Sequence, residues 1–247
     1  MSAQPGESQD TQARWPGEPT AHRLRPPRSP IAKARYYFRR YGAVHATCAL
    51  LGRWLPALWR IAGPLVSRSY LRRWLQSPAT KRLNLGGGSL VSPDWLCADV
   101  DPRADVYVDL RGPVGLPDAS VDEIFLEEVL EHVDAVQGAL LLRECARILR
   151  PGGRLRLSTP DLHYFAEQCA RVPEGAAQMN DVFYGHGHQR LYVPEEIARL
   201  LREAGFVAIT RSSYRDGRSP LARFDSHAAR FDHPPEISQY WDAQKPC

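Results

Sequence analysis

The sequence predicts an α/β protein built on a mostly parallel β-sheet. From Lys81 onward, short apolar segments of strand length alternate with longer segments of helical periodicity. The strands are short and apolar, and several end in acidic or turn-forming residues, which is typical of a parallel sheet covered on both faces. We predict strands at 82–85, 96–100, 105–108, 123–126 and 154–158, and helices at 128–132, 135–149, 161–171 and 194–204.

Turn signals support this order of elements. The segment Arg150-Pro151-Gly152-Gly153 ends a predicted helix and leads into the next strand, because proline and glycine do not continue a helix. Towards the C-terminal end, residues 206–212 and 237–241 are expected to close the sheet as a pair of strands separated by a long loop.

The N-terminal third of the chain differs from the rest in composition. Residues 1–30 are rich in Pro, Gly, Gln, Ser and Thr without periodicity, and we expect a disordered tail there. Residues 31–78 form a basic, aromatic helical extension in this prediction, with helices broken near Pro56 and Pro64. Three roles stay open for it: packing on the main domain, lying on a membrane surface, or binding nucleic acid, which is the least favoured.

Charge and cysteine content limit the class of protein. Residues 1–82 hold 15 Lys/Arg and 3 Asp/Glu, whereas residues 83–247 hold 17 and 25, so a basic region precedes an acidic body. The five cysteines are scattered and form no Cys-x-x-Cys, which favours free thiols in a reducing compartment. No signal peptide and no apolar run of membrane-spanning length is recognised. We therefore expect a cytoplasmic protein, with the inner membrane surface as a second location for the 31–76 region.

A glycine turn after the first predicted strand indicates a nucleotide-like cofactor. The segment LNLGGG ends in Gly86, Gly87 and Gly88, and glycines at a strand end let backbone N–H groups approach a ligand closely. Asp99 ends the second strand only 11 residues after Gly88, which leaves hardly any room for a helix that would hold a pyrophosphate. A phosphate-binding Gly-Lys loop is also missing, so a cofactor without phosphates fits better.

At this point the chain resembles the class I S-adenosylmethionine-dependent methyltransferases of the broad type 11 group. Five segments match in family order: LNLGGG at 83–88, ADVDP at 98–102, and the stretches at 108–133, 144–162 and 188–206. The resemblance implies a Rossmann-like class I methyltransferase sheet with an antiparallel last strand, in a domain spanning 79–247. The chain is similar to a subgroup of this family that is found near glycan and cell-surface biosynthesis enzymes.

The resemblance also implies roles for individual residues. Gly86 and Gly88 would line the methionine end of the cofactor. Asp99 would hold the ribose hydroxyls, with Asp101 as the alternative, and Asp109 would face the adenine amino group. The full predicted cofactor set is Leu85, Gly86, Gly87, Gly88, Asp99, Asp101, Asp109, Leu110 and Glu127.

A cluster of acids and histidines suggests a metal site. On a helix, Glu128, Glu131 and His132 would share one face, and His188 or His186 could approach from a later loop. The pattern resembles the metal-dependent ubiquinone-biosynthesis O-methyltransferases and small-RNA 2′-O-methyltransferases. Two alternatives remain open: His188 or His186 acts as a general base without metal, or the acids and His132 are structural. His227 and His233 are expected at the surface.

Together these features predict a methyltransferase acting on a hydroxyl of a sugar or natural-product small molecule, with or without a divalent metal such as Mg²⁺. Its partner would be a hydroxylated small-molecule or glycan acceptor, and nucleic acid is an unlikely one. The alternative is a methyltransferase-fold protein that binds a ligand, or adapts a membrane surface, without transferring a methyl group.

Overall fold

The computed structural model describes residues 35, 38–39, 41–88, 92 and 94–247. The predicted disordered tail at 1–30 lies outside these residues. The described part of the chain forms a seven-stranded sheet in the order β3-β2-β1-β4-β5-β7-β6. Its strands are β1 Arg82–Leu85, β2 Leu96–Asp99, β3 Val106–Tyr107, β4 Val121–Glu127, β5 Leu149–Pro160, β6 Val207–Ser212 and β7 Ser238–Gln244.

The predicted fold class is confirmed. β1, β2, β3, β4 and β5 pair in parallel, whereas β7 pairs antiparallel with both β5 and β6. β1 lies centrally, and its Leu83 and Leu85 are fully buried. The chain moves from β1 to β2 on one side and later returns to β4 on the other. Such a reversal opens a crevice at the carboxyl ends of the strands, where open α/β sheets bind their ligands.

The longer helices cover the sheet. They are α1 Ala43–Gly52, α2 Pro56–Gln76, α3 Ala135–Ile148, α4 Leu162–Arg171, α5 Gly175–Tyr184, α6 Pro194–Glu203 and α7 His227–Phe231. Asp134 and Asp161 cap α3 and α4, because each carboxylate accepts a backbone N–H of the first turn. Helix α3 buries Leu141, Leu142 and Ile148 in the main core. No helix in the described ranges has the length and apolar character that crossing a membrane requires.

Helix α2 packs on β3, one of the two edge strands of the sheet. The Ser67 hydroxyl accepts the backbone N–H of Tyr107 at 2.8 Å, so a side chain satisfies an edge group of β3. At Gly63 a Cβ would stand 2.9 Å from the Tyr107 Cβ, so only glycine permits this approach. Pro56 begins the helix as expected, but the predicted break at Pro64 is wrong, since the helix continues through it to Gln76. Packing of both halves on the domain compensates for the hydrogen bond that Pro64 cannot donate.

Two other local predictions are wrong. Residues 128–132 were expected to form a helix, but only Leu130–His132 forms a single 3₁₀ turn, and Glu128 has a φ of 56°. A left-handed residue at this point turns the chain away from β4 and prevents a regular helix from starting there. The segment 172–193, where the sequence predicts no helix or strand, contains α5.

Candidate functional site

The glycine turn follows β1 at the carboxyl edge of the sheet. Gly86 and Gly88 have φ values of 75° and 56°, which favour glycine. A Cβ at Gly86 would stand 2.4 Å from Val129 Cγ2, and one at Gly87 would stand 2.5 Å from Asn84 Nδ2. Among the described residues, a Cβ at Gly88 would meet no atom within 4 Å. The first two glycines therefore permit close packing beneath the turn, while the third keeps one side open.

Asp99 is tied directly to this turn. Its Oδ2 accepts the Gly88 N–H at 2.8 Å, and its Oδ1 accepts the Asp101 N–H at 2.9 Å. The predicted ribose acid and the predicted methionine-end glycine are therefore neighbours. The short connection between β1 and β2 brings them together.

Asp101 and Asp109, two of the three other acids in the predicted cofactor set, follow β2 and β3 and are paired with arginines. Asp101 contacts Arg103 at 2.5 Å, and Asp109 contacts Arg111 at 2.6 Å. Burial opposes ionisation of Asp101, but hydrogen bonds from Arg103 outweigh it and lower the pKa. Hydrogen bonds from Arg111 lower the pKa of Asp109. Both carboxylates are thus charged at neutral pH.

A cleft of about 610 Å³ opens between these strand ends and the N-terminal helices. On the helix side Trp59 lies against Tyr107, with ring centroids 6.0 Å apart. The corner between α1 and α2 therefore forms one wall of the cleft, and the ends of β2 and β3 form the other. The lining residues are Gly52, Arg53, Pro56, Trp59, Arg60, Val100, Asp101, Pro102, Arg103, Tyr107, Asp109 and Arg111.

Glu127, at the end of β4, holds a distant segment of the chain. Its buried carboxylate accepts hydrogen bonds from the Ser226 N–H at 2.6 Å, the Ser226 hydroxyl at 2.7 Å and the His227 N–H at 2.9 Å. Arg230 adds a contact at 3.3 Å. Glu127 therefore fixes the start of α7 above the sheet edge.

Glu131, His132 and His188 form a group of metal-ligating type. One ligand atom from each lies within 4.8 Å of those of the other two. Glu131 is fully buried; its Oε2 accepts the Thr159 hydroxyl at 2.9 Å, while its Oε1 has no hydrogen-bond partner among the described residues and lies 4.0 Å from His132 Nε2. The rings of His132 and His188 meet edge to face at 4.6 Å between centroids. A carboxylate and two imidazoles suit several divalent ions.

Backbone hydrogen bonds bring the later loop to this turn. The Glu131 carbonyl accepts the Gln189 N–H at 2.7 Å, and the His132 carbonyl accepts the Gln189 side-chain amide at 2.8 Å. His188 is thereby held beside the 3₁₀ turn. His186 is instead exposed and lies 3.4 Å from Asp181.

Burial shifts the pKa values of Glu131, His132 and His188 away from their ordinary values. Burial, with Glu128 nearby, raises the pKa of Glu131 well above its ordinary value. Burial lowers the pKa of His132, and burial together with His132 and His186 lowers the pKa of His188 to about 4. Both histidines are therefore neutral at pH 7, which is the form that binds a metal or accepts a proton.

Glu128 stands apart from this group. Its Oε1 accepts the Ser158 hydroxyl at 2.8 Å, and burial raises its pKa to about 7. The shared helical face predicted for Glu128, Glu131 and His132 does not exist, because Glu128 precedes the 3₁₀ turn in a left-handed conformation.

His227 was expected at the surface, and the structure corrects this. Its side chain is only 20% exposed and lies 3.9 Å from Glu128, while its Nδ1 is 2.8 Å from His233 Nε2. Burial and the neighbouring cations and imidazoles lower its pKa to about 3. Sequence reasoning missed His227 and Thr159, since neither belongs to a recognisable local motif.

Comparison with known proteins identifies the domain. A family model described as a methyltransferase domain matches residues 92–211, which begins just after the glycine turn. A "probable S-adenosylmethionine-dependent methyltransferase" of Mycobacterium tuberculosis is 35% identical over 108 residues, covering 44% of this chain and 35% of the relative. An O-methyltransferase of Aspergillus sclerotiorum is 36% identical over 112 residues, covering 43% and 37% respectively.

The chain spans about a third of the length of these curated relatives. A solved S-adenosylmethionine-dependent methyltransferase from Mesorhizobium loti aligns with 72% of this chain and 96% of its own, at 20% identity and a TM-score of 0.46. The matched family model and the relatives, together with the mostly parallel sheet and its antiparallel β7, support a class I S-adenosylmethionine-dependent methyltransferase domain.

Proposed function

We propose that the protein transfers the methyl group of S-adenosylmethionine to a hydroxyl of a small molecule, most naturally a sugar or another hydroxylated natural product. The observation that carries this proposal is the arrangement at one sheet edge. The glycine turn with Asp99 lies after β1 and β2, and the Glu131–His132–His188 group lies after the neighbouring β4. A donor site and a proton-accepting or metal-binding site are therefore adjacent.

The chemistry requires positioning and deprotonation. The acceptor oxygen attacks the methyl carbon in line, the new C–O bond forms as the C–S bond breaks, and S-adenosylhomocysteine leaves. The hydroxyl proton must pass to a base, and neutral His188 can accept it. The protein's main task is to align the two reactants, which supplies much of the rate enhancement in such reactions.

Glu131, His132 and His188 would also hold a divalent metal. The Oε1 of Glu131, which makes no hydrogen bond among the described residues, and the two neutral imidazoles fit that role. A bound divalent ion would lower the pKa of the acceptor hydroxyl. Support for oxygen as the methylated atom comes from the Aspergillus relative, which is named as an O-methyltransferase.

The test is methyl transfer from labelled S-adenosylmethionine to a panel of hydroxylated acceptors, followed by mass spectrometry of the products. We expect a labelled methyl ether. Saturating cofactor should also raise the melting temperature, because a ligand that binds only the folded state stabilises it. A thermal shift without product from any acceptor would favour the binding-only alternative, and no shift would reject the proposal.

The metal is tested separately by Mn²⁺ titration followed calorimetrically, and by activity in a chelator. We expect Glu131→Gln and His188→Asn to lose Mn²⁺ binding, whereas His163→Asn, an exposed histidine on α4, should keep it. Full activity in the chelator with no Mn²⁺ binding would leave His188 as the base without metal.

A further inference from the structure

An uncovered apolar surface lies on the N-terminal helices. Trp54, Leu58, Ile61 and Leu65 are 85%, 36%, 72% and 63% exposed. Leu58, Ile61 and Leu65 are three and four residues apart, which places them on one side of α2, and Trp54 lies in the turn just before this helix. We call these four residues the apolar stripe. A cluster of large exposed apolar side chains marks an interaction surface, whereas apolar residues that are exposed singly do not.

The stripe is not the side of α2 that packs on the domain. That side carries Trp59, Gly63, Ser67 and Leu71, which are all buried. The two sets alternate along the helix, so α2 contacts β3 on one side and presents the stripe on another. Further exposed apolar residues adjoin the stripe in sequence: Val44 and Leu51 on α1, and Leu55 at the start of α2.

The charge of this region identifies the chemistry of the partner. Residues 31–76 contain nine Lys/Arg and no Asp or Glu. Arg68 and Arg72, both exposed, continue the spacing of the stripe after Leu65. An apolar row that runs into cations, without any acid, matches a surface that offers hydrocarbon beneath negative headgroups.

Other occupants fit less well. A second copy of the same face would bring two sets of arginines together, which costs electrostatic energy. Residues 1–34 hold five Lys/Arg and three Asp/Glu, so they offer no complementary charge. Nucleic acid would use the arginines but would leave Trp54, Ile61 and Leu65 without a partner.

We propose that α1 and α2 dock the protein on anionic lipid bilayers, with the apolar stripe at the boundary between headgroups and acyl chains. Arg68 and Arg72 lie against the headgroups. This docking is peripheral, and its test does not depend on the methyl transfer proposed above.

The test is flotation of the full chain with phosphatidylcholine vesicles, with and without about 30% phosphatidylglycerol, a composition that supplies the negative surface the arginines need. We expect binding to the anionic vesicles that weakens at high salt, because salt screens the headgroup attraction. Ile61→Ser/Leu65→Ser should weaken binding by at least about tenfold, because it removes two large apolar side chains that the bilayer would bury. Arg68→Gln/Arg72→Gln should remove most of the preference for anionic lipid.

The matched control is Val136→Ser/Leu140→Ser, which changes two exposed apolar residues on α3. It should bind vesicles like the wild type. Absence of flotation at low salt, or equal flotation of the stripe variant, overturns the proposal. Light scattering of the same proteins completes the test: a wild-type dimer that dissociates in the stripe variant without vesicle binding also overturns it, in favour of self-association.

Discussion

Asp99 connects two parts of the predicted donor site at the level of single atoms. One carboxylate oxygen accepts the Gly88 N–H and the other accepts the Asp101 N–H. The oxygens of a carboxylate can each accept more than one hydrogen bond, so ribose hydroxyls can be added to this arrangement. The same residue therefore shapes the turn and offers acceptors to a ligand.

We predict that Asp99→Asn weakens S-adenosylmethionine binding by about 10- to 100-fold, because hydrogen bonds to a charged group contribute about 1.5–3 kcal/mol. The asparagine side chain also has an NH₂ group in place of one carboxylate oxygen. This group cannot accept the hydrogen bond that the Gly88 or Asp101 N–H donates to Asp99. Calorimetric titration measures the affinity, and Asp94→Asn, an exposed acid in the same connection, is the control. An unchanged affinity in Asp99→Asn would transfer the ribose role to Asp101.

Residues of the site differ in how far the sequence can predict them. Gly86, Gly88 and Asp99 lie within 14 residues of one another, so their proximity follows from the order of two adjacent strands. Thr159, on β5, reaches the site through its hydrogen bond to Glu131. His227, at the start of α7, lies beside Glu128. Pairings over such separations depend on the finished packing, which no local pattern encodes.

Among the elements, α2 is held to the sheet by an unusually close contact. Gly63 lies against Tyr107, and the Ser67 hydroxyl accepts the Tyr107 N–H. The same helix supplies Trp59 to the cleft. We infer that the N-terminal extension is part of the cofactor-binding unit rather than a separate appendage.

We predict that Gly63→Val lowers the free energy of unfolding by about 1–3 kcal/mol, the usual cost of overfilling a packed contact. It should also weaken S-adenosylmethionine binding, because α2 must move away from β3 and displace the cleft wall. Ala57→Val, at an exposed position of the same helix, is the control and carries only the small cost of a β-branched residue. A loss of stability with unchanged cofactor affinity would separate the extension from the cofactor site.

Local patterns predicted elements well where tertiary contacts agree with them. β1 has the predicted bounds, and α3 and α6 each end one residue earlier than expected. Helix α2 passes through Pro64 because its contacts with the domain outweigh a local breaker. The predicted helix at 128–132 is wrong for the opposite reason. The sequence favours a helix there, but the chain must turn sharply at Glu128, where β4 ends.

At the scale of the whole molecule, Arg156 joins the last two strands and the long loop between them. Its guanidinium contacts Asp225 at 2.6 Å and Asp242 at 2.8 Å, and donates to the Ser213 carbonyl at 2.9 Å. The side chains of Arg156 and Asp225 are each 1% exposed. The loop that carries His227 is therefore anchored through a buried ion pair.

We predict that Arg156→Met lowers the free energy of unfolding by about 3–5 kcal/mol, because it leaves Asp225 buried without its counterion. Arg156→Met/Asp225→Asn should recover part of this loss, since the uncompensated charge is removed. Arg154→Met on the same strand changes a half-exposed arginine 3.9 Å from Glu123 and should cost at most about 1 kcal/mol. Denaturant unfolding measures all three, and equal effects of Arg156→Met and Arg154→Met would contradict the assignment.

The contact between Gly86 and Val129 has a consequence for how this protein can vary. Val129 is two residues from Glu131, and a side chain at position 86 would push directly on it. A substitution in the donor half would thus shift the turn that carries Glu131 and His132. The two halves are consequently not independent modules that could be exchanged or redesigned one at a time.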